Sequence, residues 1–236
     1  MRPRADKSAR GRWTQPFGDT ALASNSQMLK SLISVVAIAL TFALFYPYIR
    51  SILNGSTKPH TFSWVIWGFG TLAVFIAQMA DGAGIGAWAI GLSALITCYV
   101  ALLSWIKRTD LTITPADWVC LVSALLAVPI WAVTSNALWA VIILTAIDLV
   151  GFGPTIRKAF SRPHEEPVWF YAIAAVRNSL VILALQRYTP TTVVFPGAVG
   201  VACLAVALYI SFRRRAIPLA QTQRVAQQNA AAGGDP

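Results

Sequence analysis

Uncharged stretches long enough to cross a lipid bilayer recur along this sequence and restrict its fold more than any other feature. They cover residues 31–49, 61–80, 82–106, 118–147 and 188–212. A helix needs about 20 predominantly apolar residues to cross the hydrocarbon core of a bilayer. The whole chain is 56% hydrophobic and only 12% charged, whereas in soluble domains about a quarter of the residues are charged. These features predict an all-α integral membrane protein.

Two apolar regions determine the number of crossings. The run at 118–147 is too long for one ordinary crossing, and the turn residues Thr134-Ser135-Asn136 in its middle predict two helices. Residues 167–187 contain Arg177 and Asn178, yet this segment has the length and apolarity of a further crossing. The sequence therefore predicts seven transmembrane helices, at 29–50, 61–80, 84–107, 115–133, 136–158, 166–187 and 190–213.

The remaining residues predict two polar tails and no metal or cofactor site. Residues 1–27 and 214–236 have the composition of disordered segments, and Met28 is a second candidate start residue. A cleavable signal peptide is not expected, because the first apolar run is of full length and follows about thirty polar residues. The three cysteines, Cys98, Cys120 and Cys203, lie in predicted helices without the spacing of a metal site or a disulfide framework.

The positive charges predict how the chain is oriented. The formal charge of +10 could suggest nucleic-acid binding, but the cations lie in tails and short loops rather than on one amphipathic face. The loops near 50–60, 107–117 and 157–166 and the C-terminal segment are basic, whereas the opposite loops carry at most Arg187. Because positive loops stay cytoplasmic, we expect the C-terminus inside and the N-terminus outside, in a bacterial inner (plasma) membrane. The basic N-terminal tail argues against this orientation, but most of its charges lie too far from the first crossing.

One short phrase occurs twice, in the same orientation. FYPYIRSILNGSTKPH at 45–60 matches FGPTIRKAFSRPH at 152–164 in its Pro-x-Ile-Arg and Pro-His elements. Both copies end one predicted helix on the basic side and lead into another, so the repeated unit is three helices. An odd number of crossings would invert a second copy joined directly, and the fourth helix corrects this. The sequence thus predicts a parallel 3+1+3 repeat: residues 28–107, a linker helix at 108–134, and residues 135–213.

The duplicated unit, the inverting fourth helix and the Pro-x-Ile-Arg helix ends resemble the PQ-loop superfamily, which includes SWEET sugar transporters, lysosomal amino acid exporters and KDEL receptors. The resemblance covers about residues 29–213. The glutamine that follows the family proline is Tyr48 in one copy and Thr155 in the other. SWEET pockets also use an asparagine from the third helix of each repeat, which this chain lacks, so the resemblance favours sugars less than other solutes.

Asp148 is the strongest candidate for a functional residue. Its position in the predicted helix places the carboxylate about 18 Å into a hydrocarbon core of about 30 Å, where ionisable groups commonly mark ion or proton pathways. Asp148-Leu149-Val150-Gly151 also resembles the Asp-x-x-Gly segment of the lysosomal exporters, which implies a proton-coupling role. Arg177 has a similar predicted depth, so the two could form an ion pair, either permanent or broken during transport. Asn178 could present its amide to a solute or bond to a neighbouring helix.

Aromatic and proline residues complete the candidate site. Under the repeat alignment Trp67 matches Tyr171, and the resemblance implies that such a pair stacks on the substrate, although an interfacial aromatic belt explains these residues equally well. For Trp64 and Trp169 we favour the belt. Pro47 and Pro154 act either as paired hinges of a gate or as simple helix terminators.

The sequence favours a small-solute transporter that works by alternating access, with Asp148 as the proton-coupling group. The alternative is a non-transporting receptor or accessory subunit on the same fold. An enzyme is not expected, because HExxH, GxSxG and paired catalytic carboxylates do not occur. The expected partners are a small-molecule solute and the lipid bilayer, without nucleic acid; a homo-oligomer is compatible with the sequence.

Overall fold

The computed structural model describes residues 17–56, 59–108, 111, 113–161 and 163–216, and this part of the chain is all-helical. Its eight α-helices are α1 (Phe17–Leu53), α2 (Thr61–Ala80), α3 (Trp88–Ile106), α4 (Pro115–Thr134), α5 (Ala137–Val150), α6 (Gly153–Ser161), α7 (Val168–Ala184) and α8 (Pro190–Ala216). Short 3₁₀ helices at Gly84–Ala87 and Pro163–Glu165 precede α3 and α7.

Five of the described helical segments are long and apolar enough to cross a membrane: Ser24–Leu53, Thr61–Ala80, Gly84–Ile106, Pro115–Thr134 and Pro190–Ala216. The helices α5 and α7 are apolar as well, but shorter. Large apolar side chains point outward, and Val133, Leu95 and Leu208 are more than half exposed. Such a surface suits lipid rather than water, so the helices are those of an integral membrane protein.

The turn predicted within residues 118–147 is confirmed. Helix α4 ends at Thr134, and Ser135 adopts the left-handed conformation, with φ of 51°. Asn136 then caps α5, since its side-chain oxygen accepts a hydrogen bond from the Leu138 amide at 3.0 Å. A helix stop followed at once by a polar N-cap explains why one uninterrupted apolar run gives two antiparallel helices.

Two boundaries differ from those predicted. The first helix begins at Phe17 rather than near residue 29, because the Ala-containing segment before Met28 has no internal proline and can continue the helix. The helix predicted at 136–158 is instead divided into α5 and α6. The polar composition of this segment suggested a tail before residue 28. The absence of an internal proline is a better guide to where this helix begins.

The two copies of the repeated phrase have different backbone structures. Pro47 lies inside α1, which continues to Leu53. Pro154, in contrast, is the second residue of α6, after α5 has ended at Val150. A proline fits the first turn of a helix because that N–H needs no partner, whereas inside a helix it removes one hydrogen bond. Pro47 is therefore not a helix terminator.

The helices pack as two sets of three, which we name the first triplet (α1, α2 and α3) and the second triplet (α5, α7 and α8). Within the first, α3 packs on both α1 and α2; within the second, α8 packs on both α5 and α7. The triplets meet where α1 contacts α7 and where α2 contacts α5, while α4 lies outside, against α5 and α2. Alanines dominate this core, and such small residues allow helices to approach closely in a membrane; fully or almost fully buried examples are Ala37, Ala77, Ala89, Ala124, Ala127 and Ala140.

The bundle has two distinct ends. The basic end is where α1, α3 and α8 finish, with Arg50, Lys107 and Arg213–Arg215. The opposite end carries the connection 81–87 between α2 and α3 and the connection 185–189 between α7 and α8. This division of the bundle positions the cavity described next.

Candidate functional site

A cavity of about 270 Å³ lies between the two triplets, and residues of α1, α2, α3, α5, α7 and α8 line it. Most of these residues come from the middle of their helices or from the half nearer the basic end, such as Phe45 of α1, Trp64 of α2 and Phe170 of α7. The lining is mainly apolar. The cavity thus begins near the middle of the bundle and extends toward the basic end.

The structure brings together all five residues that the sequence singled out for binding or coupling. Trp67, Asp148, Tyr171, Arg177 and Asn178 all line this cavity, although they are spread over more than a hundred positions of the chain.

The two prolines of the predicted hinge are not part of this group. Pro47 is exposed in α1, and Pro154 opens α6.

Arg177 is buried at the meeting point of the triplets, with 6% of its surface exposed. From α7, Nε donates to Thr41 Oγ1 of α1 at 3.1 Å, and Nη2 donates to the Ala89 carbonyl and to Ser93 Oγ of α3, at 2.6 and 2.5 Å. Nη1 donates to Oδ1 of the neighbouring Asn178 at 3.2 Å. The guanidinium therefore joins α7 to two helices of the other triplet, and neutral acceptors occupy four of its five N–H groups.

Asp148 lines the same cavity from α5 but does not contact Arg177. It is partly exposed, and among the described residues no hydrogen bond to its carboxylate and no ion pair within 4.0 Å is present. The ion pair considered from the sequence is thus not formed in this structure, because Arg177 is held by partners on α1, α3 and its own helix. An unpaired carboxylate facing a cavity is available to a proton or a solute.

Aromatic rings form part of the cavity wall. On α2, Trp64 and Trp67 pack edge to face with centroids 5.5 Å apart, and Trp64 also stacks on Tyr48 at 5.1 Å. On α7, Phe170 and Tyr171 pack edge to face at 5.3 Å. Trp67 and Tyr171 therefore border one cavity from opposite triplets.

The polar groups of Tyr171 and Asn178 are already engaged. The Tyr171 hydroxyl donates to Glu166 Oε2 at 3.2 Å, so its ring rather than its oxygen is the surface offered to the cavity. Asn178 is 2% exposed, and its amide nitrogen donates to the Ala174 carbonyl of its own helix at 2.8 Å. Asn178 is therefore bonded to Ala174 and Arg177 of its own helix, and among the described residues the bond to a neighbouring helix considered from the sequence is not formed.

Sequence reasoning underestimated three lining residues. Thr41, which aligns with Asp148 when the two copies of the phrase are superposed on their prolines, lines the cavity and bonds to Arg177. Ser93, one of the few polar residues of α3, lines the cavity as well and is a partner of the same guanidinium. Trp64, assigned to an interfacial belt, lines the cavity. The alignment of the repeats contained a signal for Thr41, because a position equivalent to Asp148 belongs at the same depth.

Hydrogen bonds across the triplets hold the opposite end together. The 3₁₀ corner before α3 is joined to the end of α7, since the Gln186 amide donates to the Ala83 carbonyl at 2.9 Å. Nearby, Lys30 of α1 donates to the Leu185 carbonyl at 2.7 Å, and Gln78 of α2 donates to the Thr192 carbonyl at 3.0 Å.

A polar pair on the surface of this end also crosses between the triplets. Asp81, after α2, accepts a hydrogen bond from the Thr189 hydroxyl and lies 3.9 Å from Arg187. The opposite end is therefore closed by contacts between the triplets.

At the basic end, the described hydrogen bonds have a different arrangement. Lys107 of α3 donates to the Leu53 carbonyl of α1 at 2.8 Å, within the first triplet. Arg214 of α8 donates to the Glu166 carbonyl before α7 at 2.8 Å, within the second. These bonds strengthen each triplet separately and do not tie one to the other, which fits a cavity on this side.

Comparisons of the chain with protein-family models, with curated proteins and with solved structures find no match.

Proposed function

We propose that this chain is a small-solute membrane transporter of the PQ-loop or SWEET-like type, in which two triplets rock around the cavity. The observation that carries the proposal is a mid-bundle cavity between two sets of three helices, bordered by the unpaired carboxylate of Asp148. A solute site between bundles, reached from one side at a time, is how transporters built from repeats work.

The symmetry of the helix contacts supports a parallel 3+1+3 repeat. Exchanging α1 with α5, α2 with α7 and α3 with α8 converts each main contact of one triplet into a contact of the other. The same exchange converts the α1–α7 contact into the α5–α2 contact. A pseudo-twofold axis along the bundle explains this pattern, and α4 provides the extra crossing.

On this proposal, the described conformation faces the basic end. The bonds between Gln186 and Ala83, Lys30 and Leu185, and Gln78 and Thr192 close the other end. With the basic end cytoplasmic, this is an inward-facing state. Transport then requires these bonds to break while the triplets approach each other at the basic end.

We assign proton coupling to Asp148. The carboxylate has no hydrogen-bond or ion-pair partner among the described residues. Protonation would therefore neutralise a charge that is otherwise left uncompensated while the cavity changes the side to which it opens. Arg177 remains bonded to Thr41, Ala89, Ser93 and Asn178 and does not need to change its charge.

The test is uptake into proteoliposomes with and without an imposed pH gradient, using a panel of sugars, amino acids and vitamins. We expect the gradient to drive uptake of one solute class by the unmodified protein and to have no effect on Asp148→Asn, which keeps the size of the side chain but cannot ionise. Asp117→Asn, in the first turn of α4 and so outside both triplets, is the matched control and should keep its response to the gradient.

Two results would contradict the proposal. Uptake by Asp148→Asn that responds fully to the gradient would remove the coupling role. If the unmodified protein accumulates no solute of the panel and instead copurifies with a stoichiometric protein partner, the receptor or accessory-subunit alternative is favoured.

A further inference from the structure

Asp148 provides the accessible charge of the cavity. Among the described lining residues only Asp148 and Arg177 are charged. Asp148 is partly exposed and has no hydrogen-bond partner among the described residues, whereas only 6% of Arg177 is exposed. Among the described lining residues, the charge most accessible to a solute in the cavity is therefore a carboxylate rather than a guanidinium.

Arg177 is a poor binding group for an anionic solute. Four of its five N–H groups already donate, to Thr41, Asn178, the Ala89 carbonyl and Ser93. A carboxylate or phosphate is held best by two parallel N–H groups of a free guanidinium. Such a pair is not available here without breaking bonds that join α7 to α1 and α3.

An aromatic ring lines the cavity close to the turn that carries the carboxylate. The Trp67 ring packs directly on Gly151, where an added Cβ would lie 2.7 Å from Trp67 Cζ2. Gly151 follows Asp148 by three residues, about one helical turn, so the indole ring and the carboxylate border the same part of the cavity. Cations bind well over an indole face, and aromatic surroundings are the usual recognition element for quaternary ammonium groups.

The volume limits the size of the solute. A cavity of about 270 Å³ corresponds to the liquid volume of about nine water molecules. This lies just below the range of sites for drug-sized ligands, about 300–1,000 Å³. A compact solute of roughly ten non-hydrogen atoms fits it.

We infer that the cavity binds a small organic monocation, an amine or quaternary ammonium compound, with its charge between the Asp148 carboxylate and the Trp67 ring. The inference rests on the proposed function, whose solute class it specifies. The carboxylate supplies the counter-charge, the aromatic wall replaces the hydration shell of the alkylammonium, and Arg177 keeps the surrounding helices in place.

Equilibrium binding to the purified full chain tests this inference, because binding can be measured without transport. Isothermal titration calorimetry compares choline with 3,3-dimethyl-1-butanol, its neutral isostere, and with glycine betaine, its zwitterionic analogue. We expect choline to bind at least about tenfold more tightly than either compound. Asp148→Asn should abolish this preference, and Trp67→Leu should weaken choline binding by about tenfold, whereas Trp118→Leu, an exposed tryptophan of α4, should leave it unchanged.

Equal binding of choline and its neutral isostere, or an undiminished preference in Asp148→Asn, would overturn the inference, as would tighter binding of the zwitterion. A thermal unfolding curve for each variant establishes that it is folded before titration. Choline binding without any uptake into proteoliposomes would contradict the transport proposal but support the binding site. Uptake of a neutral solute by a protein that does not bind choline would support the transport proposal but overturn the inferred cation site.

Discussion

Replacing Gly86 by alanine is a sharp test of the closed end. Gly86 lies in the 3₁₀ corner before α3, against the last residues of α7. A Cβ built there would lie 2.6 Å from the Leu185 amide nitrogen, 2.7 Å from the Ala184 carbonyl carbon and 2.8 Å from the Ala184 oxygen. All three are backbone atoms, so no side-chain rotation can relieve the overlap.

The size of the effect follows from these distances. Ordinary contact begins at 3.4 Å, so the corner and the end of α7 must separate by about 0.8 Å at the closest point. Overpacking of this kind costs about 1–3 kcal/mol, partly offset by about 0.4–1 kcal/mol from the less flexible unfolded chain. The displacement also stretches the Gln186–Ala83 and Lys30–Leu185 hydrogen bonds that flank the contact.

Cysteine accessibility measures whether the closed end has loosened. In a background without the three native cysteines, Ala83→Cys places a thiol at a position that is fully buried beneath this contact. We expect a membrane-impermeant maleimide to label Ala83→Cys slowly, and the additional Gly86→Ala change to accelerate labelling several-fold and lower the unfolding temperature. Gly197→Ala in α8 is the matched control, because its nearest foreign atom lies 3.9 Å from the added Cβ.

One result would refute the reasoning. If Gly86→Ala labels and unfolds as Gly197→Ala does, then the corner and α7 are not in backbone contact, and the end described here as closed is not closed in the membrane.

Three further predictions concern the helices around the cavity. Thermal unfolding in detergent checks each of them, and solute uptake also checks the second. Arg177→Met should destabilise far more than Arg187→Met, because it leaves buried acceptors unpaired at about 1–3 kcal/mol each, whereas the Arg187 side chain is 67% exposed; equal effects would contradict this. Pro47→Ala should stabilise the protein by up to about 3 kcal/mol and slow uptake, since it restores a hydrogen bond inside α1; faster uptake would exclude the hinge role. Asn136→Ala should cost about 1 kcal/mol through the lost cap of α5, while Asn136→Asp should be neutral.

Apolarity and turn chemistry made the helical framework predictable. The helix Thr61–Ala80 has the predicted limits, because charged or breaking residues stand at both ends of an uninterrupted apolar run. The break at Ser135 was equally accessible, since Thr-Ser-Asn in the middle of a thirty-residue run has no other local explanation. The extension of α1 to Phe17 was not, because polar composition alone does not distinguish an exposed helix from a tail.

The depth of a residue along its helix was easier to predict than the neighbouring helix that its side chain would face. The sequence placed Trp67 level with Tyr171 and Asp148 level with Arg177, and all four line one cavity. Whether Arg177 would meet Asp148 depended on rotation about the helix axes and on the availability of the Ala89 carbonyl as a partner. A sequence pattern does not show which backbone carbonyls are free to accept a hydrogen bond. It therefore could not predict that Arg177 would bond to a carbonyl of α3 instead of pairing with Asp148.

If the triplets rock as proposed, the bonds of Arg177 to Thr41 and Ser93 make mid-depth the place where their relative motion is smallest. Two rigid bodies fastened at mid-depth can seesaw about that point, and a small displacement there becomes a large one at either mouth. Arg177 would then lie at the pivot point of this motion. Such a role would account for a buried guanidinium at mid-depth whose N–H groups bond to the helices rather than to a solute.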